Sequence, residues 1–138
     1  MNDNLEKIRN SVKDVSGFIK ANNYKLIKVE DNYAEMEGKL DNNSMNPYNI
    51  PHGGYLFGLL DTCAGVAAST CGYVVLTLNS TINYLKQCKS DTVKAVAKCI
   101  KDGKHIKVYD VNLYDGDIII CNGNVTYYVL DNKLEDTK

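Results

Sequence analysis

Arginine is almost missing from this chain. Of its 16 basic residues, 15 are lysines and one, Arg9, carries a guanidinium. Forked recognition of a phosphate is therefore confined to a single position, and any other phosphate has to be met by lysines acting as point charges. Neither sign of charge is in excess: 17 acidic residues against 16 basic leave a formal net charge of −1. That balance argues against a nucleic-acid binder, which carries a basic patch. Proline occurs twice, at Pro47 and Pro51, both in one loop. The five cysteines are odd in number and form no CxxC pair, which argues against a disulfide framework or a zinc site. They read as small buried hydrophobes in a reducing cytoplasm. No linker, internal repeat or low-complexity stretch interrupts the chain. The first residues, MNDNLEKIRNSVKD, are too charged for a secretory apolar core. Residues 53–78 contain a single charge, Asp61. Their many small and polar residues fit a buried soluble helix followed by a strand, whereas a membrane span would place a carboxylate in lipid.

What is present is enough for one domain over residues 1–138, since 44% of the residues are hydrophobic and 24% charged. Leu5, Ile8, Val12, Val15 and Ile19 recur at helical spacing, which predicts one amphipathic N-terminal helix over residues 1–22. Residues 24–30 and 33–40 read as two strands joined at Asp31-Asn32, and residues 41–51 as a polar loop. A helix from Gly54 to Cys71 is apolar nearly all round and should be buried. Its small residues, among them Gly58, Ala64, Gly65 and Ala68, leave room for a sheet to pack closely. Four long strands follow, at 74–87, 92–101, 104–114 and 117–130, with Asp-Gly pairs at 102–103 and 115–116 marking two turns, and read as an antiparallel meander. Residues 131–138 read as a charged, frayed tail. The order predicts an α+β architecture: a long antiparallel sheet curled around one buried central helix.

Asp61 is the outlier in that helix. A carboxylate among apolar residues has to be paired, wetted by a cavity or used, and one so placed can act as a general base or a nucleophile. Just before the helix stands Pro51-His52-Gly53-Gly54. Free N–H groups at a helix start attract negative charge, and the oxyanion formed on a thioester or ester carbonyl would suit them. The same glycines also make an ordinary turn into a helix, and His52 an ordinary loop histidine. Gly54 and Asp61 are seven residues apart, on about the same helix face but ~10 Å apart along the axis. One carbonyl is hard to reach from both within one chain; a two-fold dimer, with the glycine of one subunit facing the acid of the other, resolves this. Asn46 reads either as the turn residue of Asn-Pro or as a donor to a carbonyl. Thr77 reads either as a strand former or as a hydroxyl that positions water.

Together Asn46, His52-Gly53-Gly54, Asp61 and the run TLNSTINYLK from Thr77 resemble the PaaI-like hotdog-fold acyl-CoA thioesterases. The resemblance covers roughly residues 20–130 and extends to Asp102-Gly103-Lys104 and to NGNVTYYVL at 122–130. It implies hydrolysis of an acyl-CoA to a free acid and CoA, with no metal and no cofactor beyond the CoA of the substrate. It implies Gly53 as an oxyanion-hole donor and Asn46 and His52 as groups that orient or polarise the carbonyl. Asp61 would act from the partner subunit on water or on the carbonyl itself, with Thr77 holding the water. Homodimers, often paired into tetramers, are implied too. Gly54, Tyr84, Lys86 and Lys104 are further candidate substrate-contacting positions; Lys86, Lys101 and Lys104 read either as point charges for the CoA phosphates or as solvated surface lysines, and Tyr55, Phe57 and Tyr84 either as acyl-pocket lining or as core packing.

Two alternatives accompany this reading. A hotdog enoyl-CoA hydratase would carry D-x-N-P-x-H, but Ser44 stands two residues before Asn46 and His52 six after it. A binding module that holds acyl-CoA without cleaving it would have no use for Asp61.

Overall fold

In the computed structural model, which describes residues 3–13 and 17–136, six strands form one antiparallel sheet in the order β1-β2-β4-β5-β6-β3. The elements are α1 (Asp3–Lys13), α2 (Phe18–Ala21), β1 (Tyr24–Glu30), β2 (Tyr33–Lys39), α3 (Gly53–Ser69), β3 (Tyr73–Tyr84), β4 (Thr92–Asp102), β5 (Ile106–Asp115) and β6 (Ile118–Lys133), with short 3₁₀ turns at Asn42–Ser44 and Leu134–Asp136. This is the α+β arrangement that the element order predicts, a long antiparallel sheet curled around one central helix.

The sheet curls around α3 because its inner rows are small or apolar. On β4, Val93, Ala95 and Ala97 are fully buried while the alternating lysines Lys94 and Lys98 point outward. Ala34 on β2 continues that floor. The missing bulk lets the helix settle close enough for the Cys63 thiol to reach the Ala34 carbonyl at 3.4 Å. Leu59, Leu60, Cys63, Ala64 and Ala67 of α3 are all fully buried. The helix ends at Thr70, whose Oγ1 accepts from the Asn32 N–H at 2.8 Å and so ties the helix to the β1–β2 turn. Gly72, at φ 90°, then reverses the chain into β3, a conformation glycine adopts without strain. β3 is an edge strand of 12 residues with Leu76 and Leu78 more than half exposed.

Two expectations at the ends are corrected. The N-terminal segment is two helices: Gly17 has φ 94°, outside helical space, and this breaks a hydrophobic spacing that runs on unaltered across it. Val15 lies outside the described residues. The tail is not frayed as far as Asp136. β6 continues to Lys133, paired with Tyr73, and the Leu134 N–H then donates to the Gly72 carbonyl at 2.9 Å while its side chain packs on the core. The Asp102-Gly103 turn also differs in detail. Asp102 still pairs with Lys107, and Gly103 is required by close approach, since a Cβ there would lie 2.4 Å from the Ile106 carbonyl oxygen.

Candidate active site

The start of α3 is built from its own loop. The His52 imidazole caps the helix: its Nδ1 accepts the Gly54 N–H at 2.8 Å. Nδ1 is thereby fixed as the unprotonated nitrogen. Gly54 has no N–H left to offer a ligand, whereas the Gly53 N–H has no acceptor among the described residues. The Tyr84 hydroxyl donates to the Gly53 carbonyl at 2.8 Å, and burial raises its pKa above the usual tyrosine value. Its oxygen would lie 3.2 Å from any Cβ at position 53, so a side chain there would push this tyrosine back by a few tenths of an ångström. Asn46 is a turn residue: its Oδ1 accepts from Tyr48 N–H at 2.9 Å and Ile50 N–H at 3.2 Å. Those two donors fix the amide orientation and leave its NH2 without an acceptor among the described residues.

Further along α3, Asp61 is half-buried and held from two strands. Its Oδ1 accepts from Thr77 Oγ1 of β3 at 3.0 Å and from the Tyr127 hydroxyl of β6 at 2.8 Å. The same Tyr127 hydroxyl lies 2.7 Å from the Asp61 main-chain carbonyl. Thr77 and Tyr127 face each other in the β3–β6 register, so one sheet position supplies both donors. Tyr127 is nearly fully buried, and desolvation, followed by the Asp61 charge, drives its pKa well up; it stays a donor. Asp61 Oδ2 has no partner among the described residues. The arrangement is a carboxylate with one oxygen clamped and the other open, as a general base or nucleophile requires. Tyr127 has no counterpart in the sequence reading, being one of ten tyrosines and 66 positions from Asp61. Its only signal is its place in the inward row Val125, Tyr127, Val129.

These two groups line different clefts. Gly53, Tyr84 and Lys86 border one of about 380 Å³, together with Pro51 and Leu56. Asp61, Thr77 and Tyr127 border another of about 340 Å³. Lys104 is exposed in the β4–β5 turn. The register places that turn at the opposite end of the sheet from Tyr84, since Ile106 pairs with Tyr128 while Tyr84 pairs with Cys121. Lys101 is exposed on the last turn of β4. Tyr55 belongs to the core, its hydroxyl donating to the Asn22 carbonyl at 2.8 Å, and Phe57 is half-buried. Among the described residues, no three His, Cys, Asp or Glu side chains come together as metal ligands, and no helix is long and apolar enough to cross a membrane.

The comparisons with known proteins follow this geometry. The family model of the thioesterase superfamily matches residues 48–122, which include His52, Gly53, Asp61 and Thr77. A putative esterase of Bacillus subtilis, ComA2, is 32% identical over 98 residues, covering 66% of this chain and 76% of that protein. The acyl-coenzyme A thioesterase PaaI of Escherichia coli is 28% identical over 89 residues, 64% of either chain. A PaaI structure from E. coli superposes with a TM-score of 0.88 over 94% of this chain and 96% of its own, at 20% identity. A hypothetical thioesterase from Streptococcus pneumoniae, solved with coenzyme A, superposes with a TM-score of 0.76 at 33% identity, over 80% of this chain and 88% of that one. The matched residues and the curled sheet agree, and the chain belongs to the thioesterase superfamily as a PaaI-like, hotdog-fold thioester hydrolase.

Proposed function

We propose that the protein is an acyl-CoA thioesterase that releases a free acid and CoA, with Asp61 as its general base or nucleophile and Gly53 as its oxyanion donor. The observation that carries this is the Asp61 carboxylate, which borders its cleft with Oδ1 held by Thr77 and Tyr127 and Oδ2 without a partner among the described residues. In the general-base route, Oδ2 takes a proton from water as the water oxygen bonds to the thioester carbon. The carbonyl oxygen becomes an oxyanion, and the Gly53 N–H is the donor free to meet it. Collapse of the tetrahedral adduct breaks the carbon–sulfur bond, and the thiolate recovers the proton. In the nucleophilic route, Oδ2 itself bonds to the carbon, the thiolate leaves, and water then hydrolyses the mixed anhydride. His52 and the open NH2 of Asn46 stand on the Gly53 side, suited to orienting the carbonyl. The solved relative that contains coenzyme A supports CoA as the leaving group, and no cofactor enters either route.

Gly53 and Asp61 are eight residues apart on one helix, ~12 Å along its axis, and they border separate clefts. A homodimer joined along the exposed edge of β3 brings the acid of one copy to the helix start of the other. Lys86 and Lys104, at opposite ends of the sheet, would then lie on the same side of a shared crevice and meet the CoA phosphates; pairing of two dimers is compatible with this. The cytoplasm, where thiols remain reduced, suits five free cysteines.

The test is thiol release from a panel of acyl-CoAs by wild type and by Asp61→Asn. Loss of a positioned general base lowers turnover by ~10²–10⁴, with the thermal melt unchanged within a few degrees. Full activity in Asp61→Asn ends this mechanism. Tight binding of intact acyl-CoA without thiol release favours the binding module, and hydration of crotonyl-CoA favours the hydratase.

A further inference from the structure

β3 reaches α3 with two hydroxyls. Thr77 holds the Asp61 carboxylate, and Tyr84, the last residue of the strand, holds the start of the helix. Tyr84 is a fixed arm. Its main chain pairs with Cys121 of β6, and the next two N–H groups, of Leu85 and Lys86, donate to the Ile120 carbonyl at 2.8 Å and 3.2 Å. Its phenol lies against Gly53, so that a Cβ there would meet three of its atoms at 3.2–3.5 Å, and the hydroxyl donates to the Gly53 carbonyl at 2.8 Å. Gly53 joins two peptide planes, and every polar group of both except one is held. In the plane between His52 and Gly53, the His52 carbonyl accepts from the Tyr55 and Leu56 N–H groups at 3.0 Å and 3.2 Å. In the plane between Gly53 and Gly54, His52 Nδ1 holds the Gly54 N–H and Tyr84 holds the Gly53 carbonyl. The Gly53 N–H is the group left without an acceptor among the described residues. Two successive glycines rotate about φ and ψ with little steric resistance, so the direction of that N–H depends on these bonds. All of them come from the first turn of α3 and its cap except the one from Tyr84, which comes from the sheet.

We propose that Tyr84 is a positioning residue: by anchoring the Gly53–Gly54 peptide to the sheet, its hydroxyl aims the Gly53 N–H at the place where the oxyanion forms. This rests on the thioesterase reading above. The phenol then acts through the main chain of Gly53, on the charge that develops in the transition state and not on the ground-state substrate. A donor lowers the barrier when it is already aimed, because turning it during the reaction would cost much of what its bond returns. β3 thereby fixes both groups that the chain brings to the reaction, the carboxylate through Thr77 and the oxyanion donor through Tyr84.

The experiment compares wild type with Tyr84→Phe, which keeps the ring against Gly53 and removes the bond. Tyr84 is more than half exposed, so the variant should fold and melt within a few degrees of wild type. For the acyl-CoA that wild type cleaves fastest, kcat is expected to fall about tenfold, short of the ~10²–10³ lost with an oxyanion donor itself. KM should stay within about twofold, as it does when only a transition-state interaction is weakened. Calorimetric binding of two CoA derivatives separates positioning from contact with substrate. Trifluoroacetonyl-CoA carries a ketone that adds water or a carboxylate and so takes the tetrahedral form; it should bind Tyr84→Phe about tenfold more weakly. Propyl-CoA, a thioether with no carbonyl, should bind both proteins equally. Wild-type kcat in the variant, or the same loss of affinity for both derivatives, overturns the assignment while leaving the thioesterase reading in place. No thiol release from any acyl-CoA by wild type overturns both.

Discussion

At the scale of residues, the acid is a group shared by three elements. Asp61 supplies the carboxylate, and Thr77 and Tyr127 decide which of its oxygens stays open. Tyr127→Phe tests that division. It removes the hydroxyl that holds both Oδ1 and the Asp61 carbonyl but keeps the ring in the core. A hydrogen bond to a charged group is worth ~1.5–3 kcal/mol. We expect a loss of that order in stability by urea titration, with kcat lower by about tenfold and KM little changed. Wild-type kcat in this variant would show that the tyrosine serves the fold alone. Asp61 is legible in the sequence because it is the single charge between residues 53 and 78. Its partners are less so. Thr77 stands out only beside the motif around it, and Tyr127 reaches the helix through strand register, which one sequence does not display.

At the scale of elements, a second polar cluster fastens the β1–β2 hairpin to the middle of the sheet. Asn32, at φ 57° in the hairpin turn, accepts from the Lys107 ammonium at 3.0 Å and from the Tyr109 hydroxyl at 2.6 Å. Lys107 is 4% exposed and also pairs with Asp102. The bond from Lys107 holds the Asp102 carboxyl below the usual aspartate range. A carboxyl lowered on folding stabilises the protein above its unfolded pKa, ~3.9 for aspartate, and that contribution is lost as pH falls through the folded value. Lys107→Met takes the ammonium away from Asn32 and Asp102 while the Tyr109 hydroxyl still donates to Asn32, at a cost of ~1–3 kcal/mol. It should also flatten the acid limb: wild type loses more stability below about pH 4 than the variant does. Equal pH profiles by thermal melting would contradict this. The hairpin itself is legible from Asp31-Asn32. Lys107 is not, because a lysine in a strand reads as a solvated side chain until a partner from another element covers it. The break at Gly17 escapes for a different reason, since hydrophobic spacing reports faces and not backbone dihedrals.

At the scale of the whole molecule, the strand order leaves β3 without a neighbour on one side. An exposed edge with Leu76 and Leu78 uncovered is a surface that soluble proteins pair or protect. Leu78→Lys places a charge there without touching the core. Sedimentation should report a single-chain mass where wild type gives at least twice that, with thiol release lost in step and a thermal melt typical of a surface change, within about 0.5 kcal/mol of wild type. An associated variant, or a fully active monomer, would contradict the shared crevice. The α+β architecture is legible from element order and strand length; the strand order is not, since β3 pairs with β6 at the far edge and not with β4 as a meander would have it. The separation of Gly53 from Asp61 into different clefts needed coordinates, although their helical spacing already hints at it.

If the proposed site is shared between two chains, the spacing of eight residues between Gly53 and Asp61 sets more than geometry. A catalyst assembled from two halves has a threshold built into its abundance. Well below the concentration at which chains pair, output falls with the square of the amount of protein present. Dilution alone then silences it, with no inhibitor needed.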